Sequence, residues 1–331
     1  MSQLRLNPLV GRWVTVSAAR ADRPSTFVSR QVPVAGDPSR PCPFCPGNEE
    51  ATPPALETYG PSGTWLVRVV PNLFPAFHGG APMAVEHIGP VFTQAPASGI
   101  HEVLVFTPTH GTSWADLDDR QAGLVMAAIR DRMEDHAGTA GVRYSQAIVN
   151  HGREAGASME HGHGQLLGIP FVPEEIATEE AGFARFAGGC LLCTTAQAEA
   201  DAGHRLLLET EGAVAICPFW SGTPYEALVI PRQCTGHLDR ATPADLVAVG
   251  RILRDTLSCL HGLLGDVSYN LVFHTAPHHS EHPFHWHVHV LPKITTQAGF
   301  ELGTGVLINI VPPELAAQQL RGARVASAAG G

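Results

Sequence analysis

Apolar residues recur at helical spacing in two stretches of this chain. Between Ser113 and Met133 they fall at Leu117, Leu124, Val125, Ala128, Ile129 and Met133, which predicts a helix capped by Ser113 with one face toward a core. Between Thr242 and Leu260 they fall at Leu246, Val249, Ile252, Leu253, Leu257 and Leu260, and Thr242 followed by Pro243 marks the start of a second helix. Strand-like runs accompany both: Glu102 to Phe106 and Tyr144 to Val149 flank the first helix, and Tyr269 to Phe273 follows the second. Because the order recurs, the expected fold class is α+β, with two related halves, 1–180 and 181–331, each a mostly antiparallel sheet packed against its helix. The small-residue tail from Arg321 to Gly331 is expected to fray.

The halves also repeat in their chemistry. Residues Asn150 to Gln165 form a glycine-rich loop that ends in His161, Gly162, His163, Gly164 and Gln165. If the last five are extended, His161, His163 and Gln165 share one face, since strand side chains alternate. His285, His287 and His289 repeat that spacing at an offset of 124 residues, which also carries Asn150 onto His274 and His110 onto Cys234. Cys42 and Cys45 are matched by Cys190 and Cys193 at a larger offset of 148, so the first half holds an insertion, placed at Gly79 to Ile100. A lone His-x-His reads most simply as a metal-binding or surface pair. Beside glycines and a glutamine it reads as a nucleophile: a neutral imidazole can attack phosphorus while an amide and backbone N–H groups hold the phosphate oxygens.

Each Cys-x-x-Cys turn supplies two of the four ligands that structural zinc prefers. For the first, His110 and His161 are the expected partners of Cys42 and Cys45; for the second, the repeat predicts Cys190, Cys193, Cys234 and His285. A buried or redox-active cysteine pair is the alternative for either turn alone. Two zinc ions per chain are therefore expected, and Cys217 and Cys259 are left as small buried apolar residues.

Composition narrows the setting. A chain of 331 residues with 44% hydrophobic content can bury a substantial core. No apolar run approaches the ~20 residues that span a bilayer, and the N-terminus does not resemble a signal peptide, so a cytoplasmic protein without a membrane partner is expected. A net charge of −10 argues against a nucleic-acid surface and requires any phosphate ligand to meet a local positive pocket.

Further motifs carry a family resemblance: Arg5 to Val14, Arg20-Ala21-Asp22-Arg23-Pro24, Cys42 to Cys45, Pro71 to Pro75, Asn150 to Gln165, and Ala298 to Glu301. Together they resemble galactose-1-phosphate uridylyltransferases of the histidine-triad superfamily, particularly a shorter branch that includes plant ADP-glucose phosphorylase-like proteins. The resemblance implies two histidine-triad-like repeats, His163 as nucleophile, His161 as a zinc ligand and Gln165 steadying the transferred phosphoryl group. It implies substrate contacts from Arg20, Arg23, Asn72, Asn150, Ser158 and Glu301, and a homodimer. The implied reaction is ping-pong exchange of UMP between UDP-hexose and hexose 1-phosphate. An ADP-glucose or dinucleoside-polyphosphate phosphorylase is the alternative, and a zinc-stabilised nucleotide-binding protein without turnover is a third reading. Gly162 stands where the family usually has proline, Leu73 replaces an acidic residue, and Leu307 stands near the place of a sugar-binding glutamine, which predicts weak discrimination between hexoses. Longer relatives also carry a second metal site, matched here by Glu179, His274, His285 and His287, which competes with the cysteine set for His285.

Overall fold

Alternation of apolar side chains along short strands builds one large antiparallel sheet. The computed structural model describes residues 2–20, 41–80 and 83–329. Its strands are β1 (Gln3–Asn7), β2 (Arg12–Val16), β3 (Glu57–Tyr59), β4 (Val67–Pro71), β5 (Glu86–Ile88), β6 (Phe92–Gln94), β7 (Ile100–Val105), β8 (Tyr144–His151), β9 (His163–Ile169), β10 (Leu206–Glu209), β11 (Ala213–Ile216), β12 (Ala227–Pro231), β13 (Tyr269–His274), β14 (His287–Pro292) and β15 (Ile308–Asn309). The helices are α1 (Asp119–Ala137), α2 (Glu174–Arg185), α3 (Leu191–Ala202), α4 (Pro243–Leu264), α5 (Gly299–Thr304) and α6 (Pro313–Ala329).

Ten strands run in the order β10-β11-β12-β14-β13-β8-β9-β7-β4-β3, so each half of the chain contributes five. The halves do not close separately, as the repeat suggested. They join where β8 pairs with β13, Asn150 opposite Asn270, and the result is one continuous sheet. On one face lie α1 and α4, burying Val125, Met126, Ile129, Met133, Val249, Leu253 and Leu257 against Leu104, Leu166, Leu271 and Val288. The two helices cross closely at Gly250, where any Cβ would meet the Ala122 carbonyl. On the other face, α2 and α3 cover the second half through Ile176, Phe183, Leu191 and Leu192. Among the described residues the first half has no helix there: Val70, Val103 and Val105 are capped by Phe44 of the first cysteine turn.

Several boundaries differ from the expectation. Ser113 precedes a short 3₁₀ turn, Trp114–Asp116, and donates its N–H and its hydroxyl to the Asp116 carboxylate, while α1 starts only after Asp118, whose carboxylate accepts the Gln121 N–H. The capping carboxylate outcompetes a helix running through Leu117, which is nonetheless buried. The second helix starts as predicted, with Thr242 and Asp245 forming a capping box and Pro243 in the first turn. Residues from Arg321 do not fray but extend α6 to Ala329; alanine favours helix, and Ala316, Ala317 and Leu320 anchor it in the core. The Gly79 to Ile100 stretch carries an exposed hairpin, β5 with β6, outside the large sheet. Cys217 and Cys259 are buried, as expected. No helix among the described residues is long and apolar enough to cross a membrane.

Candidate active site and metal centres

His163 opens β9 on the uncovered face of the first half, two residues later than the expected strand start. Its Nδ1 lies 2.8 Å from the His161 carbonyl oxygen, which can only accept, so the ring carries its proton on Nδ1 and a lone pair on Nε2. Burial pushes its pKa below the usual imidazole value, opposed in part by that same bond. The ring is held neutral, with the nucleophilic nitrogen free. Phe44 packs on it with ring centroids 5.4 Å apart, so the cysteine turn touches the candidate nucleophile directly. A cleft beside it is lined by Asn150, Gly152, Arg153, Met159 and Tyr269.

Gln165 lies two residues along β9 and meets His101 of β7, whose Nε2 is 2.8 Å from the Gln165 Oε1. Asn72, at the end of β4, joins the same group, 3.1 Å from His101 Nε2. Asn150 sits on β8, its Oδ1 accepting from Asn270 at 2.7 Å. The fold thus gathers His163, Gln165, Asn72 and Asn150 around one face and cleft. Ser158 is exposed in the loop beside Met159. Arg20 ends a 3₁₀ turn after β2, with no contact to His163 or Gln165 among the described residues, and Arg23 lies outside the described residues. Glu301 lies on the short exposed helix α5, where it accepts the Ala298 N–H, and does not line the cleft beside His163. Leu307 packs over Gly222 and does not line that cleft. Two residues of the site were missed by sequence reasoning: Phe44 and His101. Alternation along β7, with Val103 opposite Gln165, could have placed His101 on the Gln165 face.

Cys42, Cys45, His110 and His161 converge, as do Cys190, Cys193, Cys234 and His285. His161 Nδ1 is 3.7 Å from Cys42 Sγ and 3.6 Å from Cys45 Sγ, and His110 Nδ1 is 3.4 Å from Cys45 Sγ. In the second set His285 Nδ1 is 3.3 and 3.5 Å from Cys190 and Cys193 Sγ. Tetrahedral zinc, with Zn–S near 2.3 Å and Zn–N near 2.05 Å, sets an N···S edge of about 3.6 Å. Both donor sets therefore fit that ion. The Nε2–H of His161 donates to the Thr107 carbonyl at 2.7 Å and that of His285 to the Pro231 carbonyl at 2.9 Å, which turns each Nδ1 lone pair toward the thiols.

A third cluster unites Glu179, His274, His287 and His289. His285 belongs to the cysteine set, so the two candidate sites do not compete, and the alternative set must exchange His285 for His289. The reason is alternation: β14 opens at His287, and His287 and His289 face the same side, toward Glu179 on α2. Both Glu179 oxygens lie 3.0 Å from His274 Nδ1, and His287 Nε2 is 3.1 Å from His289 Nε2. Burial alone would raise the Glu179 pKa, but His274 and His287 more than offset it and hold the carboxylate ionised. Two imidazole nitrogens in such proximity, beside a carboxylate, suit a divalent transition metal.

With this geometry in hand, similarity to known proteins becomes informative. The family profile described as the N-terminal domain of galactose-1-phosphate uridyl transferase matches residues 1–173, and a domain of unknown function matches residues 115–326. An ADP-glucose phosphorylase from Arabidopsis thaliana is 31% identical, covering 96% of this chain and 92% of its own. A galactose-1-phosphate uridylyltransferase from Thermotoga maritima is 30% identical, covering 97% and 98%. The crystal structure of the Arabidopsis phosphorylase with bound ADP-glucose superposes with a TM-score of 0.83 at 29% identity, over 97% of this chain and 99% of that one.

Proposed function

The chain belongs to the galactose-1-phosphate uridyl transferase family, and on that premise we propose that it is a nucleotidyltransferase that moves a uridylyl group from UDP-hexose to a hexose 1-phosphate through His163. The observation that carries this reading is the 2.8 Å bond from His163 Nδ1 to the His161 carbonyl, which leaves Nε2 as an unprotonated nucleophile without a separate base. In the first displacement Nε2 attacks the α-phosphorus, a P–N bond forms, and the P–O bond to hexose 1-phosphate breaks with its electron pair leaving on that phosphate. In the second, a phosphate oxygen of an incoming hexose 1-phosphate attacks the same phosphorus and returns the electron pair to Nε2. Hydrogen-bond donors aimed at the phosphoryl oxygens stabilise the developing charge.

Gln165 supplies one such donor, next to the nucleophile. Asn72, Asn150 and Ser158 are assigned to the nucleotide and sugar phosphate, with Arg20 and Arg23 as phosphate-binding cations and Glu301 as the hexose contact carried over from the family. The two cysteine sets are assigned to Zn²⁺, where the ion would hold the turn carrying Phe44 against His163, and its counterpart in the second half, as a structural ligand. The third cluster is assigned to a further divalent ion away from the reacting atoms. A homodimer is the proposed assembly.

Incubating the protein with UDP-glucose and measuring intact mass tests the reading: a uridylyl adduct should form, move to galactose 1-phosphate on addition of that acceptor, and vanish in His163→Ala. An unmodified native protein overturns it. One observation favours a second reading, the similarity to an ADP-glucose phosphorylase over nearly the whole chain. If ADP-glucose loads His163 faster than UDP-glucose does, and inorganic phosphate collects the nucleotide, the adenylyl-transferring reading replaces the first.

A further inference from the structure

His101 is held on the substrate side of the site by two hydrogen bonds whose donors and acceptors can be worked out, with the Asn72 amide nitrogen lying beside it. Its Nδ1 lies 3.0 Å from the Ala76 backbone nitrogen, which can only donate. That nitrogen must hold the lone pair, so the ring's proton sits on Nε2. Nε2 is 2.8 Å from Gln165 Oε1 and donates to it. The amide orientation of Gln165 then follows from the network itself: its carbonyl faces His101 and its NH₂ group is turned away, uncommitted. Asn72 is constrained in the same sense. Its Oδ1 accepts the Phe74 N–H at 2.8 Å, while its Nδ2 lies 3.1 Å from His101 Nε2, a protonated nitrogen that cannot accept. Both side-chain amides thus have their oxygens occupied and, among the described residues, no acceptor for their N–H groups.

We propose that His101 is a positioning residue for nucleotidyl transfer: by donating to Gln165 Oε1 it turns the Gln165 NH₂ toward the transferred phosphoryl group and, with Asn72, makes this wall of the site present donors only. This role rests on the reaction through His163 proposed above. A glutamine rotated by half a turn would aim a carbonyl oxygen at phosphoryl oxygens that carry negative charge, the opposite of what the displacement needs. Fixing the amide before substrate arrives removes that unproductive rotamer. His101 itself touches no reacting atom; its ring sits on β7, whose pairing with β9 places Val103 opposite Gln165 and brings His101 within reach.

The test uses two substitutions that separate the ring's nitrogens. His101→Asn keeps an acceptor near the Nδ1 position for the Ala76 N–H but cannot reach Gln165, whereas His101→Gln places an amide N–H near the Nε2 position. In single-turnover loading from UDP-glucose on the full, metal-replete chain, His101→Asn should slow adduct formation by roughly 10- to 100-fold, the scale of a misplaced catalytic contact. His101→Gln should recover to within about fivefold of the native rate, and on a Gln165→Ala background His101→Asn should change the rate by less than about twofold, since the partner it acts through is gone. Equal losses for the Asn and Gln variants, or an undiminished effect of His101→Asn on the Gln165→Ala background, would overturn the role and leave His101 as a loop anchor. Two-bond ¹⁵N–¹H spectra of histidine-labelled protein give a readout independent of turnover: His101 should be the Nε2–H tautomer, and an Nδ1–H tautomer refutes the assignment. If native protein forms no adduct while that tautomer is found, the failure lies in the transfer reaction, and the catalytic role falls with it.

Discussion

Replacing Gly162 with proline or alanine should damage this protein. Gly162 sits between His161 and His163 and does not have a positive φ, so its backbone conformation is open to other residues. What excludes them is contact: a Cβ built there falls well inside 3 Å of the Thr112 carbonyl oxygen and 3.4 Å from Phe106 Cδ2. Ordinary carbon contacts need about 3.5 Å or more, so the segment carrying Thr112 would have to retreat by about 1 Å. It is not free to do so, because the Phe106 N–H bonds the Gly162 carbonyl at 3.1 Å and His110, two residues from Thr112, belongs to the first cysteine–histidine set. Overpacking of this kind costs about 1–3 kcal/mol, and a backbone neighbour puts it at the upper end. At roughly 1.4 °C per kcal/mol for a 331-residue chain, Gly162→Ala and Gly162→Pro should each lower the melting temperature by about 3–4 °C. Displacing His110 should also speed zinc loss to a chelator, followed with a chromogenic indicator. Melting within a degree of the native protein, with unchanged zinc release, would show that the Thr112 loop yields freely and that Gly162 is only a tolerated departure.

Three further outcomes are expected. Burial raises the Glu226 pKa from 4.5 to about 7, so its favourable protonated form is fully present below about pH 4.5, and the stability it contributes is lost as pH rises toward 7. Both backbone N–H groups it accepts, from Gly222 and Thr223, fall on Oε2, which a glutamine oxygen can replace, so Glu226→Gln should stabilise the protein at pH 8 by on the order of 3 kcal/mol in denaturant titrations and leave pH 4.5 nearly unchanged; no gain at pH 8 refutes the burial argument. Protein purified without added metal should carry about two zinc ions per chain by elemental analysis, Cys45→Ser and Cys193→Ser each removing one, and a single zinc in native folded protein would contradict the duplicated sites. His287→Ala should leave adduct formation intact while His163→Ala abolishes it; the reverse would show that the halves are assigned the wrong way round.

Much of this was legible because local patterns are locally enforced. The helical spacing through Leu246 to Leu260 and the Thr242 cap fixed α4, and the recurrence of His-x-His with Cys-x-x-Cys named the four side chains that converge in each cysteine–histidine set. What was not legible depends on partners distant in sequence. Nothing near Asn150 or Asn270 announces that their strands pair and fuse two sheets into one. His101 and Phe44 each read as ordinary residues, one in a strand and one inside a metal turn, until the fold brings them to Gln165 and His163. Competition was the other blind spot: Ser113 is a sound cap, but the carboxylate of Asp118 starts the helix.

The duplication also explains why only one half should be reactive. Both halves repeat the same hydrogen bonds at the same offset: His163 and His287 each send Nδ1–H to the carbonyl two residues back at 2.8 Å, and His161 and His285 each donate Nε2–H to a carbonyl at Thr107 or Pro231. The scaffold that frees an Nε2 lone pair therefore exists twice. The neighbours decide what that lone pair does. In the first half the equivalents are Asn150 and Gln165, neutral amides that can donate to a phosphate. In the second they are His274 and His289, and α2 adds Glu179 over a face that the first half leaves open, so the His287 Nε2 meets another imidazole at 3.1 Å and a carboxylate oxygen at 3.7 Å. A negative group at that position repels a phosphoryl ligand and attracts a cation. Exchanging two amides for two imidazoles and covering the face with one glutamate is enough to turn a nucleophile's pocket into a metal-type cluster without altering the backbone that holds it.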